Sequence, residues 1–146
     1  MFIEVHLAAG LILGKLTNNY TLALAGALAI DLDHLIPYIN NKVIFDLKRF
    51  WKTITDPKDP YGNQRNFLHS FIGWIFVSSA LIIFNFEIGF IFSLGYLSHL
   101  LLDIADGSDF YPFYPLSKIN LKGPIKYFSK TEFIIAIILF VIFLIL

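Results

Sequence analysis

Seven side chains able to bind a cation or move a proton recur at one depth in successive apolar stretches of this chain. His6 lies near the start of the first stretch, and Asp31, Asp33 and His34 form a DLDH run towards the end of the second. His69 opens the third, and His99 and Asp103 form an HLLLD run towards the end of the fourth. Imidazole and carboxylate without thiolate suit Zn²⁺, Mn²⁺ or Fe²⁺. On a helix, His99 and Asp103 are about 40° apart around the axis and about 6 Å apart along it, so both reach one ion. Asp31 and His34 are about 60° apart, whereas Asp33 is about 200° from Asp31. Pro37 disfavours helix at Ile36, and loosening there would admit Asp33. The expected ligands are therefore His6, Asp31, Asp33, His34, His69, His99 and Asp103. Seven groups exceed one tetrahedral site, so one or two ions are expected. A two-metal centre clamps the attacking and leaving oxygens of a phosphoester.

The elements that must position these groups are membrane helices. Of 146 residues, 57% are hydrophobic and only 15% charged, against about 25% charged in average soluble domains. Mean hydropathy is +0.69. This composition argues against a disordered chain and a soluble α/β enzyme. A net charge of +0 argues against nucleic-acid binding, and the absence of Cys excludes disulfides and thiolate metal sites. Five apolar stretches stand out, from about Ile3 to Leu16, Thr21 to Ile39, Phe67 to Phe84, Glu87 to Ala105 and Phe133 to Leu146. The middle three approach the roughly 20 residues of a full span; the first and last are short. An ionisable group inside such a stretch costs roughly 2.5–3.5 kcal/mol at its centre and is a functional candidate by default.

Residues 1–146 thus read as one all-α, membrane-embedded domain, a bundle of four to five helices. The start lacks the positive charge of a cleavable signal, so Met1–Leu146 reads as the mature chain. Polar turns at Asn18-Asn19 and Asn85 alternate with longer segments at Asn40–Asn66 and Asp106–Thr131. Alternating crossings put every basic residue except Lys15 on the side where the chain starts. The positive-inside rule makes that side cytoplasmic, and all four histidines fall there. Between Val43 and Lys52, Val43, Leu47, Phe50 and Trp51 share a face, with Asp46, Arg49 and Lys52 opposite or flanking it. This predicts an interfacial amphipathic helix.

These motifs resemble the YdjM-type membrane-bound metal-dependent hydrolases of the inner membrane. That family pattern has an early His, a D-x-D-H run, an H-R-x-x-T-H-S run, and an H-x-x-x-D run followed by Gly and an aromatic-Pro stretch. Here these correspond to His6, to Asp31-Leu32-Asp33-His34, to Gln64-Arg65-Asn66-Phe67-Leu68-His69-Ser70, and to His99-Leu100-Leu101-Leu102-Asp103. Gly107 and Tyr111-Pro112-Phe113-Tyr114-Pro115 follow. The resemblance runs from His6 to about Ser117. Gln64 stands where the pattern has His, removing one ligand or general acid, and Leu68 stands where it has Thr. A more distant likeness, to zinc-dependent phospholipases C and single-strand nucleases, implies phosphoester substrates.

The expected function is metal-assisted hydrolysis of a phosphoester, such as a lipid headgroup, at the cytoplasmic face. Zn²⁺ is the first choice of ion, with Mn²⁺ or Fe²⁺ as alternatives. Asp33 would be a ligand or the general base, Arg65 would hold a phosphate oxygen, and Ser70 would orient His69 or bind substrate. Helix capping by Ser70 is the competing reading. The expected partners are membrane lipids and a small-molecule or lipid phosphoester, with no nucleic acid. The alternatives are a metal or proton transporter, a catalytically inactive membrane scaffold, and a structural bundle whose His–Asp pairs satisfy one another.

Overall fold

The computed structural model describes residues 1–56 and 67–146. Among them it is helical, with two isolated β-bridges and no strand. Helix α1 (Ile3–Thr17) ends where Asn18 enters the left-handed region at φ 53°, a conformation Asn tolerates. Asn19 then starts α2 (Tyr20–Leu28) by accepting a hydrogen bond from the Leu22 amide on its side chain. The chain continues through a 3₁₀ segment, Ala29–His34, into α3 (Leu35–Asn40). After a 3₁₀ turn at Val43–Phe45, α4 spans Leu47–Ile54. Helix α5 spans Phe71–Phe84 and α6 spans Phe86–Ala105, with Asn85 between them capping the start of α6. Helix α7 covers Lys130–Ile145.

Among the described residues, two helical stretches are long and apolar enough to cross a bilayer, the 21 residues Tyr20–Asn40 and the 20 residues Phe86–Ala105. At about 1.5 Å per residue each reaches about 30 Å. The third stretch is shorter than the sequence predicts, and the reason is local. Ser70 starts α5 by accepting from the Gly73 amide, and Phe67–His69 before it is 3₁₀. Only 14 residues remain in α5.

Helix α6 packs between α2 and α5. Its approach to α2 needs glycine: a Cβ on Gly26 would lie 2.1 Å from the Phe92 carbonyl oxygen, and one on Gly95 2.3 Å from that of Ala23. Ile30, Tyr96, Leu100 and Phe110 form the main core. Helices α1 and α7 run parallel. The Phe2 amide donates to Glu132 at one end, and the Lys15 ammonium donates to the Phe143 carbonyl at the other.

The segment between α6 and α7 folds over the end of the bundle where α1 starts. The Gly107 amide donates to Ile125, and Gly123 to Asp106. Phe110 and Pro112 are buried, and Pro112 accepts from the amide of Phe71 at the head of α5. On its surface Asp109 lies 2.5 Å from Lys122 and raises that ammonium above its ordinary value.

The shared face predicted between Val43 and Lys52 divides in two. Asp46 breaks the helix by capping α4, accepting from the Arg49 amide. Val43 is fully buried, while Leu47 and Trp51 are 80% and 62% exposed.

Candidate metal centre

Three structural devices bring the histidines and aspartates together. The 3₁₀ segment Ala29–His34 has about three residues per turn, so Asp31 and His34 eclipse one another; His34 Nε2 lies 3.6 Å from Asp31 Oδ1. The 3₁₀ turn before α5 carries His69. Helix α6 presents His99 and Asp103 one turn apart, with His99 Nε2 3.5 Å from Asp103 Oδ2.

These elements converge. Asp31 Oδ1 lies 3.5 Å from both His69 Nε2 and His99 Nε2. The two Nε2 atoms are 3.3 Å apart. His6 from α1 stacks on His99 with ring centroids 3.9 Å apart, and its Nε2 lies 3.5 Å from Asp103 Oδ1. Among the described residues, three overlapping groups each bring their ligand atoms within 4.8 Å of one another: His6, Asp31 and His99; Asp31, His34 and His69; and His69, His99 and Asp103. His6, His69 and His99 are fully buried. The side chains of Asp31 and His34 keep 26% and 22% exposure, so the cluster opens on their side.

The hydrogen bonds behind the rings fix which nitrogens face inward. His99 Nδ1 lies 2.8 Å from the carbonyl oxygen of Ala27, which can only accept. Nδ1 therefore carries the proton, and a neutral ring presents a lone pair at Nε2. Asp33 Oδ2 lies 3.0 Å from His69 Nδ1 and favours the same state there. With both rings neutral in that state, two lone pairs would face each other at 3.3 Å; a proton on His69 Nε2 or a metal cation between the rings removes that conflict. His6 adds a second tension: among the described residues neither ring nitrogen makes a hydrogen bond, Nε2 standing 3.5 Å from Asp103 Oδ1, although the side chain is fully buried, and such burial is costly. The residues present fit a divalent ion with nitrogen and oxygen ligands.

Of the residues singled out in the sequence, six enter the three groups: His6, Asp31, His34, His69, His99 and Asp103. Asp33 reaches the cluster from behind His69 instead. The backbone tightening that sets its direction lies at Ala29–His34, before Ile36, which is α-helical in α3. Pro37 sits in the first turn of that helix, where a missing amide is best tolerated. The buried Ser70 hydroxyl donates to the Phe67 carbonyl and accepts from the Gly73 amide, a helix cap. Arg65 and Gln64 lie outside the described residues.

Sequence reasoning missed three contacts around this centre. The Tyr96 hydroxyl donates to the Leu68 carbonyl, next to His69. Tyr96 lies three residues before His99, and its polar tip in an apolar helix was the available signal. Glu132 accepts from the amides of Phe2 and Phe128, tying the start of α1 to α7. The Met1 amine lies 2.5 Å from Asp103 Oδ1 and 2.8 Å from Asp106 Oδ2.

Apolar helices of spanning length, joined to buried imidazoles and carboxylates that converge at one end, define a helical membrane protein with a cluster able to hold a metal ion. The chain belongs to the YdjM inner membrane protein family, whose family model matches residues 3–146. Comparison with curated proteins and with solved structures finds no match.

Proposed function

We propose that this protein is a membrane-bound, metal-dependent hydrolase acting on a phosphoester, with a lipid headgroup as the leading substrate class. The facing of His69 Nε2 and His99 Nε2 at 3.3 Å, within reach of Asp31 and Asp103, carries this reading. Zn²⁺ is the first choice of ion, with Mn²⁺ or Fe²⁺ as alternatives, and the overlapping groups accommodate one or two. A bound ion of this kind polarises a phosphoryl oxygen and lowers the pKa of a water ligand towards about 7.

The chain's own residues supply the rest. Asp33 holds the His69 ring in one orientation, and the Ala27 carbonyl does the same for His99. Asp31 and His34 line the exposed side and meet a substrate first. Arg65 supplies a permanent charge for a phosphate oxygen. The whole chain forms one membrane-embedded domain, in which α1, α5 and α7 complete a four-to-five-helix bundle around the two longer spans, with local thinning of the bilayer. The distribution of basic residues supports a cytoplasmic position for the site. Its partners are membrane lipids and the phosphoester itself, not nucleic acid.

The test is hydrolysis of bis(p-nitrophenyl) phosphate and release of headgroups from mixed phospholipid vesicles. Detergent-purified protein is assayed after chelation and after adding back Zn²⁺, Mn²⁺ or Fe²⁺. Activity restored by one ion and lost in His99→Ala supports the reading. Metal-loaded protein that hydrolyses neither substrate overturns it, and metal uptake into proteoliposomes would put a transporter in its place.

A further inference from the structure

Helix α4 is poorly placed for a life in water. It is eight residues long, and its residues advance by about 100° each. Leu47 and Trp51 are one turn apart and share a face, 80% and 62% exposed. Phe45, in the turn before it, is 75% exposed. Lys48 and Lys52 flank that face, with Arg49 beyond them, and all three are exposed. On the inner side Thr53 is buried and the Phe50 ring meets Tyr38 edge-on at 6.0 Å. Its orientation is therefore set by packing, with the apolar stripe and the basic flank both turned outward.

The position of α4 in the fold matches this chemistry. The Tyr127 hydroxyl donates to the Ile54 carbonyl at the end of α4, and the Tyr127 ring packs on Phe2 at the head of α1. Helix α4 thus lies at the end of the bundle where α1 and α7 begin, six residues beyond the Tyr20–Asn40 helix. The covering segment repeats the pattern, with Leu116 and Ile119 at 80% and 54% exposure beside exposed Lys118.

We infer that α4 is a docking surface for anionic phospholipid headgroups. Leu47 and Trp51 enter the boundary of the acyl chains, and Lys48, Arg49 and Lys52 lie among the negative headgroups. An apolar face flanked by basic residues is the pattern of a helix lying in the interface plane, and basic groups beside a membrane attract anionic lipid. A protein partner fits poorly: eight residues make a helix about 12 Å long, whereas a stable protein interface takes about 800 Å² from each partner. This inference does not depend on the metal or on hydrolysis.

Quenching of Trp51 fluorescence by brominated lipids tests it. Full-length protein is reconstituted in phosphatidylcholine vesicles containing brominated phosphatidylglycerol or, at equal mole fraction, brominated phosphatidylcholine. A Trp51→Phe variant isolates the contribution of Trp74. Trp51 quenching severalfold stronger with the anionic lipid is expected, with near-equality in a Lys48→Gln, Arg49→Gln, Lys52→Gln variant and in high salt. Equal quenching of Trp51 by both lipids would overturn the preference for negative charge. Absence of quenching by either would remove α4 from the membrane and leave a protein partner as its occupant. The substitutions are all on exposed side chains, and circular dichroism confirms that each variant is folded.

Discussion

The hydroxyl of Tyr96 donates to the carbonyl oxygen of Leu68. The donor sits three residues before His99 and the acceptor directly before His69, so one hydrogen bond ties together the carriers of the two central imidazoles. Tyr96 is fully buried. Tyr96→Phe removes the hydroxyl and leaves the Leu68 carbonyl without this donor, at a cost of about 1–3 kcal/mol. The melting temperature should fall. Metal affinity should fall by about tenfold, as for loss of a contact that orients a ligand. Chelator-competition titration checks this; affinity unchanged in a folded variant would show that His69 is held by other contacts.

Asp33 is expected to act through His69. Asp33→Asn keeps the shape but weakens the acceptor at His69 Nδ1. Metal affinity should drop by about 10–100-fold with helix content retained. Complete loss of metal would instead place Asp33 among the direct ligands.

The glycine contact between α2 and α6 sets how close the two metal-binding stretches come. Gly95→Ala places a methyl 2.3 Å from the Ala23 carbonyl oxygen, against backbone that cannot step aside. Overpacking of this kind costs about 1–3 kcal/mol. It should lower both thermal stability and metal content. Gly10→Ala meets side-chain atoms of Ala27 and Leu24 at 3.0 Å and backbone, at Leu24 Cα, at 3.5 Å, and should be milder on both counts. Comparing the two variants by thermal melts and metal analysis separates a helix-spacing effect from general disruption.

How much was legible beforehand depended on local geometry. The helices were readable because long apolar runs end at Asn18-Asn19 and Asn85, residues that cap and turn. The nearness of His99 to Asp103 followed from α-helical spacing alone. Asp33 was harder, because its direction depends on a 3₁₀ segment that composition does not announce; Pro37 drew attention to Ile36, downstream of the real change in winding. The start of α5 is hard to read from the sequence because Ser70, a cap, is embedded in an apolar run. Periodicity puts Val43 on one apolar face with Leu47 and Trp51, because the break at Asp46 that separates them is invisible to it. The Tyr96 and Glu132 contacts join residues 28 and 130 positions apart, and no spacing rule reaches that far.

The proposed function requires His69 and His99 to share a cation. Elemental analysis with X-ray absorption spectroscopy on detergent-purified protein tests it most directly. Near-stoichiometric divalent transition metal is expected in a nitrogen and oxygen shell, with the outer-shell scattering of imidazole rings, and loss of that metal in a His69→Ala, His99→Ala variant that remains folded. Wild-type protein that stays metal-free after incubation with Zn²⁺, Mn²⁺ and Fe²⁺ would contradict it, leaving a shared proton between the two rings.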